Sequence, residues 1–483
     1  MTLQLAPRPD EQLSALERLE VLCDPGSLSL VRTGVLSRGM GAKAAAGDGV
    51  LGAAGRIDGR PVYVFAQDPA FAGGSLGAAH AETICNVLRL AGRARVPALG
   101  FVASAGARLQ EGLHALGGYG RIFREHVALS GLVPQISVVA GASAGGGSYA
   151  PALTDAVIMT KRAAMFLTGP GVVQEVMGED VDAQTLGGPA VHQKSGVCSL
   201  VADTDADAAW LARDLLDYLP QHAGARPSRW PVVAPPGHAP DATVPDSMRK
   251  VYDVRDVARA IVDGGRLLEL GERWARNIVT AYARLDGRSV GIIANQPRHL
   301  GGVLDAESAA KAARFIRTCD SFGIPLVVLV DTPGFLPGSK QEAGGVIRHG
   351  AKLVHAFSGA TVPRVTVVLR KAYGGAFIAM NSRDLGADLV LAWPGAQLGV
   401  MGPEQAVGII ERRAIAAADD PARERRVRGA KYAAEHLDVT RAMQDGFVDE
   451  VVPPSETRPR IAHALAHLES AGLERRPSRN IPL

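Results

Sequence analysis

A chain of 483 residues, 47% of them hydrophobic, is long enough for more than one core. Its 52 basic and 49 acidic residues leave a net charge of +3, too balanced for a nucleic-acid partner. No apolar run reaches membrane-spanning length and no secretory leader is visible; the four cysteines (Cys23, Cys85, Cys198, Cys319) lack disulfide or metal spacing, so a cytoplasmic protein without a bound metal is expected.

In chain order, residues 10–22 place Leu13, Leu16 and Leu19 at helical spacing, with Asp10 as a candidate cap. Residues 29–47 are Gly- and Ala-rich and suggest an adaptable surface segment. Residues 52–57 and 62–66 predict a hairpin turned at Asp58-Gly59. Helices over 78–91 and 113–129 alternate with strands over 98–103 and 135–140, and short strands follow at 156–160 and 165–168. Residues 200–219 read as mainly helical. Seven prolines then fall within 220–245, a stretch without periodicity that marks a domain linker. Beyond it, strands over 290–294, 326–330 and 365–369 alternate with helices over 306–322 and 345–357. Residues 403–435 read as one long charge-rich helical segment with no earlier counterpart, and 455–469 as a closing helix. Such alternation predicts α/β units with sites at strand ends.

The chain repeats itself. Ile57-Asp58-Gly59-Arg60 returns as Leu285-Asp286-Gly287-Arg288, Gly73-Gly74-Ser75-Leu76 as Gly301-Gly302-Val303-Leu304, Pro97 as Pro325 and Gly106 as Gly334, all at an offset of 228. Gly145-Gly146 and Gly374-Gly375 pair at 229, and Gly169-Pro170 and Gly402-Pro403 at 233. A near-constant offset with two small insertions means two copies of one domain.

Each copy holds a strand that runs into a glycine turn and then a helix. In the second copy the turn reads R-K-A-Y-G-G-A-F-I over 370–378. The N–H groups of Gly375 and Ala376 would be left free at the helix start, where they suit a developing negative charge. Gly145 and Gly146 are the corresponding pair in the first copy. Arg108 and Glu111 are candidates for orienting groups beside that pair, with an internal ion pair as the alternative. His192 is a candidate substrate contact, with a structural role as the alternative. Residues 141–145 also match G-x-S-x-G, the hydrolase nucleophile elbow, but the second copy has Ala372 where the first has Ser143. No Met-Lys-Met biotinylation site and no G-x-x-x-x-G-K-[ST] phosphate loop is present.

Taken together, the residues resemble the carboxyltransferase (β) subunit of biotin-dependent acyl-CoA carboxylases of the acetyl-/propionyl-CoA type. The resemblance runs through Asp24-Pro25-Gly26-Ser27, Gly73 to Leu76, Ala107 to Gly112, Tyr149 to Asp155, Thr168-Gly169-Pro170, Gly187-Gly188, Asn295-Gln296-Pro297, Asp331 to Phe335, Tyr373 to Ala376 and Val448-Asp449. It implies an α/β fold of two duplicated crotonase-like (ClpP/crotonase) domains, 1–232 binding acyl-CoA and 233–483 binding biotin. It further implies a homo-hexamer, a ring of three dimers with active sites between opposing domains of two chains. The partner is a biotin carboxylase/biotin carboxyl carrier (α) subunit that brings carboxybiotin. Gly145-Gly146 would hold the thioester oxyanion and Gly375-Ala376 the ureido oxyanion, so no side-chain base is required. Ser104, Gly106, Ala107, Arg108, Ala144, His192 and Ile378 would line the acyl-CoA side, and Gly334, Gly374 and Phe377 the biotin side. The family often has Asp-Ser-Gly-Gly-Ala-Arg where this chain has Ala103 to Arg108, which removes a carboxylate and a glycine. Ile378 stands where propionyl-preferring members typically carry Asp; an apolar residue resembles enzymes that accept acetyl-CoA. Conversion of acetyl-CoA to malonyl-CoA is therefore expected, with propionyl-CoA as a second substrate. An acyl-CoA decarboxylase or transcarboxylase subunit, and a non-catalytic companion subunit, are the alternatives.

Overall fold

A computed structural model describes residues 12–37 and 39–469. The chain divides into two compact units between Ser228 and Arg229. That point lies inside the proline-rich stretch, where residues 219–253 form no helix or strand.

Unit 1 is built on strands β1 (Ser29–Val31), β2 (Val50–Ile57), β3 (Arg60–Gln67), β4 (Ala98–Ser104), β5 (Gln135–Ala144), β6 (Ala156–Thr160), β7 (Ala164–Phe166) and β8 (Leu200–Ala202). They form one sheet in the order β1-β2-β3-β4-β5-β6-β8, with β7 also on β5. Unit 2 contributes β9 (Leu267–Glu269), β10 (Ile278–Leu285), β11 (Arg288–Asn295), β12 (Leu326–Thr332), β13 (Arg364–Tyr373), β14 (Leu389–Ala392), β15 (Gln397–Gly399) and β16 (Glu450–Val451). Their order, β9-β10-β11-β12-β13-β14-β16 with β15 on β13, is that of unit 1 strand for strand. The repeat in the sequence is thus a repeat of topology.

Each sheet opens with an antiparallel hairpin, β2–β3 or β10–β11, and continues in parallel. Both hairpins turn on Asp-Gly, and Asp58 (φ +49), Gly59 (φ +75), Asp286 (φ +54) and Gly287 (φ +74) are all left-handed, as a two-residue hairpin turn requires. An outside carboxylate holds each turn. Asp24 accepts from Asp58 N and Gly59 N at 2.9 and 2.8 Å, and Asp263 accepts from Asp286 N and Gly287 N at 3.1 and 2.8 Å. The central strands β4 and β12 are buried at every residue, the pattern of parallel strands covered on both faces.

Several elements differ from the sequence reading. The first helix is Ala15–Leu22, and Ser14 caps it in a reciprocal box with Glu17; Asp10 lies outside the described residues. Residues 29–47 include β1, which pairs with β2. Residues 200–219 begin with β8, and the helix Asp205–Tyr218 starts only after Thr204 caps it. The segment 403–435 is three helices, Pro403–Ile410, Arg412–Ala416 and Pro421–His436. Asp420 caps the last of these and Pro421 sits in its first turn, so the chain restarts there instead of continuing one helix. The four cysteines are buried free thiols, and burial pushes those of Cys85 and Cys198 up to about 11 and about 12.

Candidate active site

In unit 2, β13 ends at Tyr373 and the chain turns at Gly374 (φ +62) into the helix Gly374–Ala379. A Cβ on Gly374 would lie 3.1 Å from Val400 O, so both backbone angle and space select glycine. The N–H groups of Gly375 and Ala376, in the first helical turn, have no acceptor among the described residues. A second donor lies in the loop that follows β12. Leu304 N donates to Gly334 O at 3.0 Å and Leu336 N to Leu304 O at 2.7 Å. Bonds alternate sides along an extended segment, so Phe335 turns its N–H away from Leu304 and toward the β13 side. Gly334 (φ +140) allows that course, and its own N–H donates to Thr332 Oγ1 at 3.3 Å.

Unit 1 repeats this geometry. Leu76 N donates to Gly106 O at 2.8 Å and Arg108 N to Leu76 O at 2.9 Å, which sends the Ala107 N–H toward the β5 side. A Cβ on Gly106 (φ +99) would stand 3.5 Å from Ala144 O, so the two loops face each other closely. The glycine pair shifts by one residue in role. Gly145 (φ +58) makes the turn, as Gly374 does, but its N–H already donates to Phe166 O at 3.0 Å. The free donor is therefore Gly146, the counterpart of Gly375. A Cβ there would lie 2.5 Å from Cγ of Tyr119, whose ring fills the space behind the turn.

The side chains near this turn are mostly engaged in holding it. Ser104 is buried; its Oγ accepts from Gly106 N at 3.3 Å and lies 3.2 Å from Tyr119 Oη. Ser143 is buried and donates to Gly147 O at 2.8 Å, which removes it as a hydrolase nucleophile. Arg108, expected at the substrate, is 1% exposed and spends its guanidinium on Asp48 Oδ1 (2.5 Å), Glu111 Oε1 (2.8 Å) and Ser75 O (2.8 Å). It is the internal ion pair. His192, also expected at the substrate, is half-buried; Nε2 lies 2.8 Å from Met165 O and Nδ1 3.1 Å from Ser195 Oγ, so both ring nitrogens have partners inside unit 1. Ala107 and Ala144 are half-buried in the facing loops. In unit 2 Ile378 is 49% exposed and Phe377 half-buried on the helix after the turn.

Behind Arg108 lies a polar cluster that the sequence did not disclose. Gln67 Oε1 accepts from Ala103 N at 3.1 Å, so its amide nitrogen donates to His80 Nε2 at 3.0 Å. The His80 proton then sits on Nδ1 and is donated to Asp48 O at 3.0 Å. Burial, with the Arg108 charge adding to it, holds His80 down to about 3. The unfolded imidazole titrates near ~6.5. Between these values the unfolded chain binds a proton that the folded chain refuses, so stability falls as pH drops through that window. The limiting slope for one proton is about 1.4 kcal/mol per pH unit. Urea midpoints from pH 7 to pH 4.5 are expected to fall more steeply for the natural chain than for His80→Gln; parallel slopes would rule the histidine out.

The profile of the carboxyl transferase domain family matches residues 7–481. The chain belongs to that family. Among its relatives, this carboxyltransferase is 48% identical over 464 residues to the methylmalonyl-CoA carboxyltransferase 12S subunit of Propionibacterium freudenreichii subsp. shermanii, covering 94% of this chain and 88% of the relative. It is 44% identical over 494 residues to the biotin-dependent acetyl-/propionyl-coenzyme A carboxylase beta5 subunit of Mycobacterium tuberculosis (strain ATCC 25618 / H37Rv), covering 98% and 90%. A crystal structure of the transcarboxylase 12S hexamer with methylmalonyl-coenzyme A bound superposes at a TM-score of 0.91 and 46% identity, over 98% of this chain and 92% of that one. The two parallel-sheet units are the crotonase-like fold of this family, and the carboxyltransferase is an enzyme of carboxyl transfer with acyl-CoA substrates. Among the described residues no helix is long and apolar enough to cross a membrane, and no cluster of metal-ligating side chains occurs.

Proposed function

We propose that this carboxyltransferase moves a carboxyl group between biotin and the α carbon of a short acyl-CoA, with unit 1 serving the thioester and unit 2 serving biotin. The observation that supports this reading is the pair of facing amide donors in each unit: Ala107 and Gly146 in one, Phe335 and Gly375 in the other. Two anions arise in such a transfer, and there are two such donor pairs. A thioester oxygen set between the Ala107 and Gly146 N–H groups becomes an enolate oxygen when the α-proton leaves. Each donor aimed at that charge contributes roughly 2.7–4 kcal/mol to the barrier reduction. The side chains nearby add no general base: Ser104, Ser143, Arg108 and His192 are already bonded within unit 1.

The residues of unit 2 suit biotin. The Phe335, Gly375 and Ala376 amides offer donors to a carbonyl oxygen. Gly334, Gly374 and Phe377 flank them. Biotin, held on a separate carrier subunit, supplies the carboxyl group. This chain works as an oligomer with that partner, a reading supported by its likeness to transcarboxylase 12S, which assembles as a hexamer and forms a multienzyme core. A decarboxylase or transcarboxylase role is the second reading, favoured by relatives such as the methylmalonyl-CoA decarboxylase subunit alpha of Veillonella parvula, 45% identical over 489 residues. The same donors serve both directions, and the partner subunit decides which one runs.

For the acyl group, exposed and apolar Ile378 supports acetyl-CoA as substrate, with propionyl-CoA second. Steady-state rates on both thioesters test this. Ile378→Asp is expected to shift the ratio of kcat/KM values toward propionyl-CoA by roughly 10-fold, the size of effect one methylene commands in a pocket. A strong propionyl preference in the unaltered enzyme would overturn the acetyl assignment and leave carboxyl transfer intact.

A further inference from the structure

Each sheet carries a bulge at the same place. In unit 2 Val330 pairs with Val368 and Thr332 with Ala372, so Leu369, Arg370 and Lys371 stand opposite Asp331 alone. In unit 1 Val102 pairs with Val139 and Ser104 with Ser143, so residues 140–142 stand opposite Ala103. Just past each bulge the two strands part into the loops that present the facing amides. The bulge therefore sets how far apart those amides stand.

The two bulges are filled differently. Unit 1 has only Ala103, Ala140, Gly141 and Ala142 in its own strands there, and Arg18, paired with Asp205 at 2.8 Å, reaches in from a helix to Ala140 O at 3.4 Å. Unit 2 fills the bulge with charge. Arg370 Nε lies 2.9 Å from Asp331 Oδ2, and the Lys371 N–H donates to Asp331 Oδ1 at 3.3 Å. Arg370 Nη1 donates to the carbonyls of Pro245, Ser247 and Lys250 at 3.2, 2.9 and 3.0 Å, and Lys371 Nζ to that of Met248 at 3.1 Å. The guanidinium also lies over the Tyr252 ring, 4.7 Å from its centre. Asp331 is fully buried and Arg370 nearly so. A buried pair of this kind is weak evidence for stability and better evidence for a fixed geometry.

We propose that Asp331, Arg370 and Lys371 are positioning residues for the biotin side of the reaction: they clamp the bulge against residues 245–250 and so fix the spacing of the Phe335 and Gly375 N–H groups. The proposal rests on the reading of unit 2 as the biotin side. It predicts a split that loss of structure alone would not give. The full chain is assayed with free biotin as carboxyl acceptor and malonyl-CoA or methylmalonyl-CoA as donor, and the KM of each is measured. Arg370→Met is expected to lower kcat on the order of 10²-fold, the effect of about 1 Å of misplacement, and to raise the KM for biotin while the KM for the thioester holds. Arg370→Lys should restore part of the loss. Lys371→Met, which gives up the Met248 bond and the 3.7 Å contact of Nζ with Asp331 Oδ1 but leaves the Asp331–Arg370 pair, should show the same split in milder form should Arg370→Met fail to fold. Both KM values moving together, or a lower melting temperature with kcat unchanged, would overturn the proposal. An unaltered enzyme that decarboxylates neither thioester in the presence of biotin would instead bring down the reading on which it rests.

Discussion

Replacing Gly146 with alanine is expected to lower kcat by about 10²- to 10³-fold, the loss associated with one oxyanion donor, while the same change at its counterpart Gly375 leaves the rate within a few-fold. The contrast follows from what lies behind each turn. An alanine Cβ at 146 would meet Cγ, Cδ2 and Cδ1 of Tyr119 at 2.5, 2.7 and 2.8 Å, the face of a ring that cannot retreat. Tyr119 is 4% exposed, its hydroxyl lies 3.2 Å from Ser104 Oγ, and it packs in the core formed by Leu76, Ala81 and Ile122. The turn would have to lift, carrying the Gly146 N–H away from the thioester oxygen. At 375 a Cβ meets nothing within 4 Å, and that glycine is not among those with positive φ. Alanine therefore fits with the N–H in place. Steady-state kinetics on both variants check the pair of outcomes. A Gly146→Ala enzyme with unchanged kcat would remove this amide from the mechanism, and an equal loss at Gly375 would show that packing behind the turn is not what distinguishes them.

The duplication was legible because its markers are conformational. Asp-Gly at both hairpins and a left-handed glycine at both turns are residues that the backbone demands, so they recur at a fixed offset. The strand–turn–helix at each site was legible for the same reason. Half of each donor pair was harder to see. Ala107 is a candidate only through the resemblance and Phe335 is not one; their N–H directions depend on pairing with Leu76 and Leu304, about 30 residues away in sequence. Tyr119 was hidden because nothing local ties a helical tyrosine to the underside of a turn some 27 residues later. The sequence predicts a short strand at 165–168 but not its partner, and the pairing of β7 with β5 is what takes up the Gly145 N–H and leaves Gly146 as the donor. The sequence offers an ion pair of Arg108 with Glu111 as the alternative to a substrate role, but the further partner, Asp48, lies 60 residues away and no local pattern ties the two together. Physical chemistry settles its role once burial is known. A guanidinium 1% exposed and bonded to two buried carboxylates serves the fold.

Arg108→Met is accordingly expected to destabilise unit 1 by about 3–5 kcal/mol, the effect of leaving buried charge without its partner. Asp48 is fully buried and Glu111 is 5% exposed, so neither carboxylate can turn to water. Asp48 Oδ2 would keep only the His80 N–H at 2.9 Å and Glu111 Oε2 the Ala78 N–H at 2.7 Å. The first thermal transition should fall by roughly 6–20 °C, given about 2–4 °C per kcal/mol for a unit of this size. Neutralising the whole cluster in Asp48→Asn/Arg108→Met/Glu111→Gln should recover most of the stability, because an uncharged set leaves no ion stranded. Catalysis separates the two functions of this cluster. The Arg108 backbone bond to Leu76 fixes the direction of the Ala107 N–H, and the side chain anchors that segment to Ser75 O at 2.8 Å. The triple variant should thus refold well yet turn over slowly. Full activity in that variant would mean that Leu76 alone holds the donor, and an unrecovered melting temperature would mean that packing of the Arg108 stem against Phe71, 5.4 Å from the guanidinium carbon, outweighs its charge.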